Sequence, residues 1–250
     1  MIRVLVTAAA VIAATHVSAQ SSLGIQSTAF DFGGVQDEAG DYQFDANVSV
    51  DVRVTSYHGL QGDLKFSDTS NGLIGQLGAH LYMTPNPGQK YGVYATLSDV
   101  DGRSMTWGTL GIEGMLSLGL DTVVEARTGL GISDVGGLDF IFAGVSLAHA
   151  VNPTLELETF LDVVEFDEAA LQAISYEVGV RAHYSPEGAP WGLYASLTHS
   201  DLGGRDGTSG ATRLGLGLTF EFGASGGADP ATRHFRTSDP VAPLVRRGLW

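Results

Sequence analysis

The sequence predicts an all-β protein: a closed antiparallel transmembrane β-barrel of twelve strands joined in an up-and-down meander. Three observations support this fold class. The chain opens with an apolar segment of the kind used for export, most of its length alternates between polar and apolar residues, and lysine occurs only at Lys65 and Lys90. A soluble β-protein usually covers its outer face with lysine and glutamate, so the lysine count favours a membrane setting. Ten or fourteen strands are the alternatives.

Residues 1–19 have the features of a secretory signal peptide. Arg3 supplies the positive charge, residues 4–15 are apolar and rich in alanine, and residues 17–19, Val-Ser-Ala, form a small-residue cleavage site. The apolar run is too short for a membrane anchor, which needs about 20 residues. The sequence contains 0 cysteines, which argues against attachment as a lipoprotein. We therefore expect an exported protein whose mature chain begins near Gln20.

Twelve segments of alternating polarity follow, separated by clusters of Gly, Asp, Asn and Pro. Each is long enough for a tilted membrane strand, which needs about 9 to 11 residues. The second is the clearest, because Phe44, Val48 and Val52 fall on one face while acidic, amide and hydroxyl side chains fall on the other. The predicted boundaries are 22–33, 42–56, 59–68, 70–84, 89–99, 103–118, 120–133, 137–150, 153–165, 170–184, 190–201 and 209–222.

Alternation alone does not say which face is inside, because a soluble sandwich or a lipocalin-like barrel has the same period with its apolar face inward. The composition of the two faces favours an apolar exterior. The polar face mixes Gly, Ser and Thr with charges of both signs, as a wet lumen does, and the apolar face carries aromatic residues near the strand ends. The predicted aromatic girdle comprises Tyr42, Phe44, Tyr82, Tyr91, Trp107, Phe140, Tyr184, Trp191 and Phe222.

The end of the last segment carries a recognisable motif. Residues 215–222 read Gly-Leu-Gly-Leu-Thr-Phe-Glu-Phe, with Gly217, Phe220 and Phe222 in the positions of a glycine followed by two aromatics. This motif resembles the C-terminal β-signal by which Gram-negative outer-membrane β-barrel proteins are recognised for assembly. The resemblance covers eight residues and departs from the pattern in two ways, with Gly215 where a polar residue is usual and with residues 223–250 continuing beyond it. It implies an outer-membrane location and recognition by the barrel-assembly machinery.

The predicted organisation is therefore a signal peptide over 1–19, a barrel over 20–222 and a basic tail over 223–250, punctuated by Pro and Gly and placed in the periplasm. Disorder is the simplest expectation for such a tail. Two alternatives give it a role: it folds back from the periplasm into an acidic lumen, or residues 224–250 dock on a periplasmic partner. The connections after odd strands are acidic, while those after even strands are short and turn-like, so we expect the acidic set to face outward.

The polar face supplies the candidate functional residues. If this face lines a lumen, its carboxylates favour a pathway for cations. The alternative is a lattice of interior ion pairs organised around Arg53, Arg127 and Arg181. The predicted lumen-lining residues are Asp45, Asp51, Arg53, Asp63, Lys65, Glu113, Glu125, Arg127, Glu156, Glu158, Asp162, Glu177, Arg181 and His183.

The leading functional hypothesis is a passive, narrow, cation-favouring channel for small hydrophilic solutes. A closed structural or surface-interaction barrel that works through its acidic loops is the alternative, and an outer-membrane lipid-modifying enzyme is a third. We expect no catalytic residues, because neither His149 nor His199 can be paired with a suitable serine and acid. The net charge of −15 argues against nucleic-acid binding. Membrane lipids and lipopolysaccharide are the expected surroundings, and no cofactor or metal is expected.

Overall fold

The protein is a closed barrel of twelve antiparallel strands in sequential order, with the first strand paired to the last. The computed structural model describes residues 24–38, 40–134, 138–167, 171–223 and 227–249, so the predicted signal peptide lies outside the described residues. The predicted fold class and strand number are confirmed. In the described ranges, no helix has the length and apolar character needed to cross a bilayer.

The strands are long and of similar length, as a tilted membrane barrel requires. A single short helix follows them near the C-terminus, α1 (Ala242–Arg247). The strands are β1 (Ile25–Asp37), β2 (Tyr42–Arg53), β3 (His58–Thr69), β4 (Gly72–Met83), β5 (Gln89–Val100), β6 (Thr106–Ser117), β7 (Thr122–Ser133), β8 (Phe140–Asn152), β9 (Leu155–Asp167), β10 (Gln172–Tyr184), β11 (Trp191–Gly204) and β12 (Thr208–Gly223).

The largest boundary difference is in β1, which continues to Asp37 beyond its predicted end at residue 33. Gly33 and Gly34 both remain in the strand ladder, with Gly33 opposite Gly217. A side chain on Gly33 would collide with the ring of Tyr194, which occupies the lumen above it. This glycine therefore provides space for a neighbouring aromatic ring.

The outer surface of the barrel is a continuous apolar face. Alternate residues along each strand point outward, and on adjacent strands Ile112, Ile132 and Ile141 remain about 60% exposed, at 60%, 61% and 59%. Monomeric soluble proteins rarely expose an apolar surface of this extent. It matches the lipid-facing band of a membrane barrel.

The two ends of the barrel differ. We call the end where β1 begins and β12 finishes the turn end, and the opposite end the loop end. Connections at the turn end include residues 54–57, 84–88 and 185–190, which are tight turns with backbone hydrogen bonds across them. The described acidic residues of the connections that were predicted to face outward lie at the loop end.

Three aromatics of the predicted girdle do not face lipid. Tyr82, Trp107 and Phe140 are only 5%, 1% and 3% exposed. Their positions along the strands put them on the same face as the lumen carboxylates. The C-terminal segment explains how aromatic side chains are accommodated there, because it supplies them with apolar partners inside the barrel.

Candidate functional site

The lumen contains the C-terminal part of the chain. Residues 227–249, which we call the lumen segment, enter at the turn end after β12 and run to the loop end, where α1 lies. Ser117, at the turn end of β6, donates to the carbonyl of Ala228 at 3.2 Å, and Asn71, at the loop end, donates to that of Arg246 at 3.0 Å. Residues 227–249 of the tail thus lie inside the barrel along its height, the position given by the fold-back alternative and not that of a disordered periplasmic tail.

The barrel wall binds the backbone of the lumen segment. Gln61 makes a two-point contact: its Nε2 donates to the carbonyl of Phe235 at 3.0 Å, and its Oε1 accepts the N–H of the same residue at 2.8 Å. Gln76 donates to the carbonyl of Ser238 at 3.1 Å. The side chain of Gln61 is fully buried, so these bonds replace the water that it would otherwise need.

A row of ion pairs binds the arginines of the lumen segment to the wall formed by β9 and β10. Each pair joins a partly buried arginine to a carboxylate, the charge-assisted geometry that makes strong hydrogen bonds. The pairs are Arg233 with Glu156 at 2.9 Å and with Glu158 at 3.3 Å, Arg236 with Asp162 at 2.5 Å, and Arg246 with Glu177 at 2.7 Å.

A buried cluster on the opposite wall surrounds Phe235. The ring of His80 lies between Asp63 at 2.7 Å and Glu113 at 2.5 Å, and it stacks on the ring of Phe235 with their centroids 5.6 Å apart. Lys90 donates to the carbonyl of Arg233 at 2.9 Å and lies 4.6 Å from the centre of the Phe235 ring. A mainly polar wall is thereby built around one apolar side chain of the lumen segment.

The loop end of the lumen is closed by an apolar cluster. Pro243 is the second residue of α1, in the first turn, where its missing N–H leaves no helix hydrogen bond unmade, and Gly248 follows the helix in a left-handed conformation with φ of 66°. Val241, Leu244 and Val245 are fully buried. Around them pack barrel residues of the loop end, including Met105, Trp107, Leu138, Phe140, Phe166 and Leu202. This cluster, which we call the apolar cap, is the largest group of buried apolar side chains described in the barrel.

The lumen segment does not fill the barrel. A polar cavity of about 560 Å³ remains beside it, and a smaller one of about 190 Å³ lies under α1. The larger cavity is lined by residues from the turn after β8, such as Asn152, and by Val35 and Asp45 close to the loop end. It therefore follows the β9–β12 and β1 side of the lumen over most of its height.

The predicted lumen residues lie on the inner face, with one exception. Arg53 is exposed at the turn end of β2, where its Nε donates to Gln26 at 3.1 Å, so it is not an interior hub. Arg127 pairs with Glu125, and Arg181 pairs with Asp31 at 3.0 Å. The inner-face residues are Asp45, Asp51, Asp63, Lys65, Glu113, Glu125, Arg127, Glu156, Glu158, Asp162, Glu177, Arg181 and His183.

Sequence reasoning missed several interior residues. Asp31 lies on the inner face of β1 and accepts from both Arg181 and Thr219. Lys90 is fully buried, and its place on the polar side of an alternating strand was the available signal. The lumen segment was not among the predicted site residues, although folding of the basic tail into an acidic lumen was one of the alternatives for it. The signal for that alternative was the complementarity between the arginines of the tail and the carboxylates of the inner face.

The residues of the predicted assembly motif have distinct surroundings. Phe220 and Phe222 lie on the outer face of β12, where Phe222 makes an edge contact with Phe30 at 6.3 Å. Gly217 faces the lumen, where an added Cβ would collide with the carbonyl of Phe32 and the ring of Tyr194. The glycine is thus required by packing, whatever its part in assembly.

The outward-facing histidines are bonded to threonines: His149 to Thr122 at 2.9 Å and His199 to Thr212 at 3.0 Å. In the described part of the chain, no group of three or more His, Asp or Glu side chains is arranged to hold a metal ion.

Structural comparison relates the barrel to outer-membrane channels. Similar solved structures include the KdgM porin in complex with disordered oligogalacturonate (TM-score 0.56, 13% identity, covering 78% of this chain and 99% of that one). The NanC porin has a TM-score of 0.57 at 9% identity, covering 76% of this chain and 98% of that one. An outer membrane channel from Pseudomonas putida F1 has a TM-score of 0.57 at 13% identity, covering 80% of this chain and 96% of that one. No protein-family model and no curated protein sequence matches the chain. At these identities the likeness shows the fold alone, a closed antiparallel β-barrel.

Proposed function

We propose that the protein is an outer-membrane channel for small hydrophilic solutes, whose path is narrowed by the lumen segment. The observation that carries this proposal is the polar cavity of about 560 Å³ beside the lumen segment. Barrels of eight strands are filled by their own side chains, whereas those of sixteen leave an open channel. A twelve-stranded barrel lies between these cases, and here one polypeptide strand occupies only part of the space.

The proposed orientation puts the turn end in the periplasm and the acidic loop end outside the cell. Short periplasmic turns and longer outer loops are the usual arrangement in these barrels. The apolar outer face contacts membrane lipids, and the acidic connections face the lipopolysaccharide surface. The motif at the end of β12 supports recognition by the barrel-assembly machinery. The fold shared with porins supports the same location.

The charges around the cavity predict a modest preference for cations. Its lining includes six carboxylates and four cationic side chains, two of them from the lumen segment. Without Arg233 and Arg236, only two cationic groups would remain against the six carboxylates. The lining residues counted are Asp31, Asp45, Glu125, Glu156, Glu158, Glu221, Lys65, Arg181, Arg233 and Arg236. We therefore expect cation preference to increase when the lumen segment leaves.

A closed structural barrel is the second candidate, and the apolar cap favours it because α1 lies across the loop end. Single-channel recording in planar bilayers separates the two functions. The full-length protein is compared with a version carrying a protease site at residues 224–226, cleaved after folding. A channel gives a small cation-favouring current before cleavage and a larger current once the segment is released. Absence of current in both forms would eliminate the channel and leave the closed barrel.

A further inference from the structure

The barrel wall binds the lumen segment through its backbone groups, as proteins do when they bind an extended peptide. Six barrel side chains donate to its backbone carbonyls, and Gln61 and Glu125 accept its backbone N–H groups. Every peptide carries these backbone groups, so the bonds do not depend on the peptide's sequence. The donor and acceptor residue pairs are Gln26–Ala231, Gln61–Phe235, Gln76–Ser238, Lys90–Arg233, Ser117–Ala228 and Asn71–Arg246.

A second group of contacts depends on side chains. Arg233 and Arg236 are three residues apart, and they contact Glu156 and Asp162 of the same strand, β9. The carboxylates of Glu156 and Asp162 are only partly buried and border the polar cavity system. They are therefore positioned to select positive side chains along an extended chain that passes between β9 and the Gln61 wall.

We propose that the lumen is a binding site for extended, arginine-containing peptides, and that the lumen segment is the ligand resident in it. The backbone contacts supply general affinity for polypeptide, and the carboxylates of β9 supply the preference for basic residues. The cavity of about 560 Å³ lies beside these contacts. The inference rests on the proposed channel and names a class of solute for it.

The test begins with the full-length protein, folded with its lumen segment in place and then cleaved at residues 224–226. The first measurement is whether the released peptide stays with the barrel during gel filtration in detergent. The second is binding of a fluorescent synthetic peptide of residues 227–249 to barrels that have lost their own segment. The third compares this peptide with one carrying Arg233→Ala and Arg236→Ala.

We expect retention or rebinding, with the substituted peptide binding at least about tenfold more weakly, since each hydrogen bond to a charged partner contributes about that factor. A barrel with Glu156→Gln, Glu158→Gln and Asp162→Asn should lose the preference for the arginine peptide, because these carboxylates hold Arg233 and Arg236. A barrel with Gln61→Leu and Gln76→Leu should bind both peptides more weakly by the same factor. Arg205→Ala, in an exposed loop pair with Asp206, is the control that should change neither.

Release of the segment without rebinding of either peptide would overturn the inference. Equal binding of the two peptides would overturn the preference for basic residues. Bilayer recording distinguishes these failures from failure of the proposed function. A cleaved barrel that conducts ions but binds no peptide would support the channel and overturn the peptide inference. A cleaved barrel that neither conducts ions nor binds peptide would overturn both the channel and the peptide inference.

Discussion

At the scale of single residues, the carboxylates of Asp51, Asp63 and Glu113 lie buried on the inner face of the barrel. Their environment depends on Phe235, which reaches Gln61 across a separation of 174 residues. No local pattern encodes a contact of that range, so the burial of these carboxylates could not be predicted.

Lys90 gives a test of the buried cluster. Its Nζ lies 3.5 Å from Asp51, and both side chains are almost fully buried, at 0% and 2% exposed. Lys90→Met preserves most of the volume but leaves the carboxylate of Asp51 without its cation. We expect the free energy of unfolding to fall by about 3 kcal/mol, because breaking a buried pair leaves an uncompensated charge. Urea unfolding of the barrel in lipid vesicles measures it.

The double variant Lys90→Met with Asp51→Asn is the matched control, because it removes both charges. Most of the lost stability should return in it. Equal destabilisation of the single and double variants would show that the lysine acts through packing alone.

Variants at Gly217 and Phe220 distinguish a role in packing the barrel from a role in recognition by the assembly machinery. Gly217→Ala should impair folding in purified detergent micelles, where no assembly machinery is present, because its methyl group collides with the carbonyl of Phe32. Phe220→Ala, on the outer face of β12, should fold in micelles and lose yield only in cells. The heat-dependent gel shift of the barrel reports folding in both settings. Normal folding of Gly217→Ala in micelles would contradict the steric account.

At the scale of elements, the strands could be located from the sequence, whereas the position of the lumen segment was left open between disorder, docking on a periplasmic partner and folding into the lumen. Alternation over ten or more residues repeats a single signal many times, so each strand could be located within a few residues. The lumen segment has little regular structure, and Pro and Gly give it the composition of a disordered tail. Its order comes from the wall that surrounds it, including Glu156, Asp162 and Glu177.

The ion pairs between the lumen segment and the barrel wall should keep the segment inside the lumen. Replacing Arg233, Arg236 and Arg246 with alanine removes its pairs with four carboxylates. We expect the channel to show larger and more cation-selective currents, because the segment leaves the lumen more often and uncovers the acidic wall. Planar-bilayer recording of the intact variant measures both properties. The matched control is Arg205→Ala, whose pair with Asp206 lies in an exposed loop.

High salt should partly mimic this triple variant, because ions screen partly exposed pairs. Currents that stay at the wild-type level in the triple variant would indicate that the apolar cap alone retains the segment.

At the scale of the whole molecule, the barrel and its C-terminal segment form one structure. Twelve strands enclose more space than side chains alone would fill, and the chain uses its last residues to occupy part of it. The barrel architecture followed from strand periodicity and composition, whereas the occupied lumen depends on contacts between residues 227–249 and strands far from them in the sequence. The complementary charges of the tail and the lumen suggested folding of the tail into the lumen as one alternative, but the sequence did not decide between that alternative, disorder and docking on a periplasmic partner.

Cysteine labelling reports the path of the lumen segment through the barrel, since the sequence contains 0 cysteines. One variant carries a cysteine appended after residue 250, and the control carries Glu187→Cys in a connection at the turn end. Intact cells are treated with a membrane-impermeant maleimide before and after permeabilisation of the outer membrane. Because the lumen segment runs to the loop end, which faces outward in the proposed orientation, we expect the appended cysteine to react in intact cells. The cysteine of Glu187→Cys, at the turn end, should react only after permeabilisation. Reaction of the appended cysteine only after permeabilisation, as for the control, would contradict this path of the lumen segment.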